Sequence, residues 1–245
     1  MGSGGHLYSG FTGKARWFVR RFGWREIFLK PLRKIFSPIV VPFLAERHFE
    51  FSGEKLKCYY AHYNLTWSNE RCVEIPLGQH FLAQANGAVL EVGHVLGHYG
   101  EHSHTVIDKF ETVAGVINED IAAWQTDESF ALILSLSTFE HIGFDDDMGE
   151  AEGDSGKKIL AAIAACRALL AADGRLVITV PLGYNPHLDE LIETDTLGED
   201  RASFLLRSGP REWAEVARVE AVGTPFGCPF PYANALMVAE FNAPS

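Results

Sequence analysis

The stretch VLEVGHVLGHYG, residues 89–100, reads as an apolar β-strand with an acidic residue near its end, running into a loop with glycines at 93 and 97. Glycine at such a turn lets backbone approach a ligand closely, and a helix starting after it would offer free N–H groups. Fifteen residues past Gly93, the run HTVID (104–108) ends on Asp108. A carboxylate there is placed to accept hydrogen bonds from the two ribose hydroxyls of an adenosine. Glu119 and Asp120 follow a third run, AGVIN (114–118). A glycine loop after a strand is often only a turn. With an acidic residue ending the second run and an acidic pair after the third, it points to an adenosine-type cofactor.

Outward from this stretch, short β-type runs continue at FALILS (130–135) and GRLVITVP (174–181). They alternate with helical patterns, as in a parallel sheet with helices on its faces. The best helix is GKKILAAIAACRALLAADG (156–174), closed by Gly174; a second, PREWAEVARV (210–219), opens with proline. Strands near 219–223 and 235–241 close the domain, and NERCVEIPLGQHFLAQA (69–85) reads as a helix-containing lead-in. About five residues separate the second run from the third, too few for an ordinary parallel crossover. Residues 114–118 are therefore a short edge strand or no strand.

A chain of 245 residues is long enough for one full core behind an extension, here residues 1–45 before a domain at 46–245. Residues 14–34 hold eight of the 21 lysines and arginines but one of the 32 acidic residues. The rest is strongly acidic, which argues against nucleic acid as substrate. Aromatic and aliphatic residues interleave with those cations. The arm is thus either a helix packed on the acidic body or a peripheral membrane contact through residues 14–34. The apolar stretch Ile35–Ala45 is broken by Pro38 and Pro42 and is too short to span a bilayer, and no signal peptide is legible. Four scattered cysteines without a CxxC pair fit a reducing cytoplasm.

The ordered series VLEVGxxxG, VIDKFE, GVINEDI, FALILSLSTFEHIG and LLAADGRLVITVPLG resembles the motifs of class I S-adenosylmethionine-dependent methyltransferases over residues 87–241. The resemblance implies a Rossmann-like α/β fold, a mostly parallel seven-stranded sheet with helices on both faces. It implies S-adenosylmethionine as cofactor. Glu91 would lie near its amino acid moiety, with Gly93, His94 and Gly97 in the loop beside it. Asp108 would hold the ribose and Glu119 or Asp120 the adenine amino group. Ser135 to His141 would border both cofactor and acceptor. YNLTWSNERCVEIPLG (63–78) and PLGYNPHLDE (181–190) resemble a bacterial subgroup found in saccharide and cell-envelope pathways. One departure stands out: Val95 occupies the place of the family's middle glycine. The dinucleotide fingerprint G-x-G-x-x-G is absent, which argues against a dehydrogenase.

His141 follows the fourth strand, at the edge where ligands of such sheets bind, and is the candidate general base for a hydroxyl acceptor. The alternative is a histidine that merely packs beside the cofactor. Tyr63, Trp67, Glu70 and Arg71 before the first strand, and Tyr184 and Asn185 after the fifth, are candidate acceptor contacts suited to a hydroxylated ligand. Asp145, Asp146 and Asp147 are weak candidates for Mg²⁺, otherwise a solvated loop. His94, His98, His102 and His104 invite a transition-metal reading, but no zinc signature completes it. The expected acceptor is a small molecule, a saccharide or glycan precursor methylated on oxygen. The alternatives are another metabolite methylated on nitrogen or oxygen, and a non-catalytic binding module.

Overall fold

The computed structural model describes Trp24, residues 26–144 and residues 155–244. The acidic triplet at 145–147 lies outside the described residues. A helix α1 (Glu26–Val40) precedes a hairpin of β1 (His48–Phe51) and β2 (Glu54–Lys57), and helix α2 (Arg71–Gln84) leads into the main sheet. Its strands are β3 (Val89–Val92), β4 (Thr105–Ile107), β5 (Val116–Ile117), β6 (Phe130–Leu136), β7 (Leu170–Pro181), β8 (Arg201–Gly209), β9 (Glu212–Val216) and β10 (Ala235–Asn242). They lie in the order β5-β4-β3-β6-β7-β10-β8-β9. The first five are parallel, whereas β10 is antiparallel to both neighbours and β8–β9 is an antiparallel hairpin.

This is the expected Rossmann-like α/β architecture, a mostly parallel sheet with helices on both faces, with eight strands in the main sheet instead of seven. The chain winds outward from β3 to β5 and then returns to place β6 on the other side of β3. That reversal opens a crevice at the carboxyl ends of β3 and β6, the switch point where ligands of open α/β sheets bind.

The strands are buried on both faces, so successive side chains feed opposite layers. Ile133, Leu176, Ile178 and Met237 pack with Ile159 and Ile163 of α3 (Ser155–Ala168) and with Leu188 and Ile192 of α4 (Pro186–Glu193). Leu132, Leu134, Leu136, Val177 and Leu236 pack with Val73, Ile75, Leu77 and Phe81 of α2. Helices thus cover both faces.

Several expected elements differ. The segment expected as a helix at 210–219 forms β9, because Trp213 must be buried under β1 and β2 while its neighbours stay outside. Packing of one aromatic overrides the proline cue. Residues 219–223 are not a strand; the helical turn α5 (Arg218–Ala221) covers part of them, and β8 supplies the strand instead. The helix expected to reach Gly174 ends at Ala168, since residues from Leu170 onward join β7. Gly174 sits inside that strand beside a bulge, where a Cβ would meet the Phe130 carbonyl oxygen at 2.5 Å. After the glycine loop comes only the single turn Leu96–His98, too short to be the expected ligand-facing helix. The brief β5 is an edge strand, and among the described residues no helix separates it from β4 or β6.

Candidate active site

A cavity of about 620 Å³ opens at the crevice beside β3, β4 and β6, within the range of small-ligand sites. Its walls are apolar at Val92, Ile107, Ile121, Ile142 and Ala162. Its polar groups include Asp108, Glu111, Glu119 and Asp120, with Lys109 and Lys158 among its cations, and Ser137, Thr138 and His141.

Gly93 stands where the loop leaves β3, at φ +86°. A Cβ there would lie 2.1 Å from Thr138 Oγ1, so only glycine permits this approach of the ends of β3 and β6. The loop is then held by carboxylates. Val95 N and Leu96 N donate to Glu91 Oε1 at 2.9 and 2.7 Å, while Glu91 Oε2 lies 2.8 Å from His104 Nε2. His94 N donates to Asp108 Oδ2, and Phe110 N and Glu111 N donate to Asp108 Oδ1, at 2.8–3.0 Å. Three of the roughly four acceptor directions of this carboxylate are thus taken by backbone N–H groups and one, on Oδ2, is left, so the residue organises the turn and still faces the cavity.

Of the cofactor candidates, Gly93, His94, Asp108, Glu119 and Asp120 line this cavity. Glu91 does not: it is wholly buried, its carboxylate taken up by the loop amides and His104. Gly97 lies under the His94 ring, where a Cβ would meet Nε2 at 2.2 Å. Ser135 is buried and donates to the Val92 carbonyl oxygen at 2.8 Å, tying β6 to β3. Asp120 Oδ2 pairs with Lys109 at 3.1 Å, whereas Glu119 is exposed.

His141 lines the cavity, its ring set edge-on to Tyr184 at 5.1 Å and its Nε2 3.7 Å from Glu140 Oε1. The acceptor candidates are not wall residues of this cavity. Tyr63 is exposed and packs on His98 and Tyr99. Trp67 donates to Ser37 Oγ of α1 at 3.0 Å. Glu70 accepts from Ala233 N at 3.1 Å. Tyr184 is buried against Phe226, and Asn185 caps α4, accepting from His187 N and Leu188 N. Their aromatic and amide character serves packing and capping.

Arg71 leads to a buried network that the sequence reading missed. It pairs with Glu74 at 3.0 Å and donates to the Leu136 carbonyl oxygen. Glu74 Oε1 in turn accepts from Ser137 Oγ at 2.5 Å and Thr179 Oγ1 at 2.6 Å. Ser137 carries this network to the cavity and sits in the left-handed region at φ +43°. Beside it, Glu140 is 2% exposed, its Oε2 has no hydrogen-bond partner among the described residues, and Asn185 donates to its backbone oxygen. Burial raises the Glu140 carboxyl to about 7, against the pull of His141 and with a push from Glu74. The legible signal was two glutamates, Glu74 and Glu140, set inside otherwise apolar stretches.

The four histidines do not converge on one point. His104 binds Glu91 and His102 stacks on His104, while His94 and His98 join Glu111 with ligand atoms within 4.8 Å of one another. This trio supplies two imidazoles and a carboxylate, a set that suits a first-row transition ion better than Mg²⁺.

No family model matches the chain, and no curated protein matches it. Among solved structures it is similar to N-methyltransferase NodS from Bradyrhizobium japonicum, at 17% identity and TM-score 0.44 over 72% of this chain and 97% of that one. It is also similar to a TehB-like S-adenosylmethionine-dependent methyltransferase from Corynebacterium glutamicum, at 19% identity and TM-score 0.39 over 70% and 87%. A third is the glycopeptide N-methyltransferase MtfA, at 13% identity and TM-score 0.34 over 70% and 90%. Overlaps this loose carry no weight on activity, which rests on the cavity and the residues around it.

Proposed function

We propose that the chain is an S-adenosylmethionine-dependent methyltransferase that methylates a hydroxyl of a small polar acceptor, a saccharide or glycan precursor. The observation that carries this is the meeting of Asp108, the Glu119–Asp120 pair and His141 around one cavity at the switch point of the sheet. The fit to the cofactor is chemical. Asp108 offers its remaining acceptor lone pair, on Oδ2, to a ribose hydroxyl, and apolar Ile107 and Ile121 suit the faces of an adenine. An acidic lip also favours a cationic sulfonium. Bound there, S-adenosylmethionine would supply an electrophilic methyl group.

This chain's residues then have two tasks. The first is alignment, since in-line displacement depends on holding nucleophile and methyl together. Gly93, Thr138 and the network ending at Ser137 fix the cavity wall for that purpose. The second is removal of the hydroxyl proton. Neutral His141 can take it, and Glu140, whose Oε1 lies 3.7 Å from His141 Nε2, would steady the resulting imidazolium once ionised, above its raised pKa of about 7.

The test combines calorimetric titration of S-adenosylhomocysteine into the full chain with transfer of labelled methyl to panels of sugars, nucleotide sugars and amines. Binding plus label in an alkali-stable methyl ether is the expected result. Absent binding overturns the methyltransferase reading in favour of a non-catalytic module. Binding with label only on amines overturns the hydroxyl acceptor.

A further inference from the structure

Helix α1 turns its polarity inside out. Glu26 and Ser37 are buried, Arg33 is held by both Glu26 oxygens at 2.6 and 2.9 Å, and Ser37 receives the Trp67 N–H. Lys30 lies over the Tyr232 ring, and burial lowers its pKa. The side facing the body is thus the polar one. The other side is apolar and open. Phe28, Leu32, Ile35, Phe36 and Ile39 are 48–67% exposed. At about 100° per residue they fall within an arc of roughly 100°. Trp24 before the helix and Phe43 after it are also exposed. Of the thirteen exposed large hydrophobics among the described residues, nine lie between positions 24 and 43. Such clustering marks an interaction surface.

From this arrangement we infer that α1 docks the protein on an anionic bilayer surface, its apolar stripe sunk among the headgroups. Charge selects this occupant. Residues 14–34 carry eight cations against one acid, while the remainder of the chain is acidic. An anionic surface attracts the arm and repels the body, so the approach is oriented. A second copy meeting the same stripe by twofold symmetry would instead oppose two cationic arms. Geometry selects a surface position over a spanning one. The 15 residues of α1 rise about 22 Å, short of the hydrocarbon core of about 30 Å. Among the described residues no helix is long and apolar enough to cross a membrane. Pro31 and Pro38 lie within the helix, and each lacks a backbone N–H. A carbonyl that such a proline cannot serve would find water at the headgroup level and would be costly in hydrocarbon. This inference is independent of the methyl-transfer reading.

The experiment is co-sedimentation of the full chain with vesicles of phosphatidylcholine and phosphatidylglycerol in equal parts, and with phosphatidylcholine alone, at low and high salt. Binding to the anionic vesicles at low salt, fading as salt is added, is expected. The triple variant Phe28→Asp, Ile35→Asp, Ile39→Asp should bind at least about tenfold more weakly. Its thermal transition should be kept, since these side chains face solvent. The variant Arg16→Gln, Arg20→Gln, Arg21→Gln should lose most of the salt dependence. Undiminished binding of the triple Asp variant would overturn the inference. So would failure of the wild type to bind anionic vesicles, including the case where sedimentation velocity shows a dimer that the Asp variant dissolves.

Discussion

Glu140→Gln should make the protein more stable, and by an amount that depends on pH. The carboxyl is buried, one oxygen has no hydrogen-bond partner among the described residues, and its pKa is raised from 4.5 to about 7. Below pH 4.5 both folded and unfolded chains hold the proton, so the residue contributes no pH-dependent term. Between pH 4.5 and 7 the unfolded chain releases the proton while the folded chain keeps it, so stability falls as pH rises. Above 7 the full penalty is present, about 3 kcal/mol for a difference of this size. Glutamine keeps the shape and never ionises. Urea denaturation should therefore show the variant about 3 kcal/mol more stable than wild type at pH 8, with the gap closing toward pH 4.5. Arg71, Glu74 and His141 share the surroundings and remain in both proteins, which confines the comparison to one site. A gap of the same size at every pH would mean that Glu140 is not forced toward its neutral form. A variant less stable at pH 8 would mean that its charge is satisfied.

Four further outcomes follow from the same geometry. Asp108→Asn should weaken S-adenosylhomocysteine binding by about 1.5–3 kcal/mol in calorimetry, because the charge-assisted bond to the ribose becomes an ordinary one. Gly93→Ala forces a Cβ onto Thr138 at positive φ; a melting scan should show a loss of about 1–3 kcal/mol, together with weaker cofactor binding. Arg71→Met strips Glu74 of its buried cation and should cost about 3–5 kcal/mol in urea denaturation. His141→Ala should lower kcat by roughly 10²–10⁴-fold with cofactor affinity kept, and flatten the rise of rate with pH. A near-normal kcat would leave His141 as a packing residue.

The parallel half of the sheet was legible because its strands are buried on both faces and read as near-continuous apolar runs. FALILS and GRLVITVP could hardly be anything else. The antiparallel half was not, because β8 and its edge neighbour β9 are mixed in composition. RASFLLRSG alternates weakly, and EWAEV has a single buried anchor. In a five-residue strand one tryptophan decides the pairing, and helix propensity at Ala214, Glu215 and Ala217 points the other way. The same competition misplaced the end of α3, where Leu170–Ala172 are good helix formers drawn into the ladder beside Phe130.

The glycine loop shows why site residues were only partly legible. A sequence motif names positions, whereas function depends on where each side chain turns. Glu91 and Asp108 both carry carboxylates near strand ends, yet Glu91 faces the interior and Asp108 the cavity. Glu91 explains how the chain accommodates Val95 in place of glycine. Accepting the Val95 and Leu96 amides, it pins the turn from beneath, while Val95 keeps one side against the core. With Gly93 N also donating to the Ile107 carbonyl oxygen at 2.8 Å, successive amides of this loop are spent within the protein. A ligand here meets carboxylates and apolar walls where a helix N-terminus would have offered N–H groups. On the proposed reading, selection at this site acts through hydroxyls and an excess of carboxylates over lysines, which suits a ribose and a sulfonium. A phosphate-bearing dinucleotide would find four carboxylates here against two lysines, one of which, Lys109, pairs with Asp120, so the lining suits the proposed methyl donor better than a dehydrogenase cofactor even with the middle glycine lost.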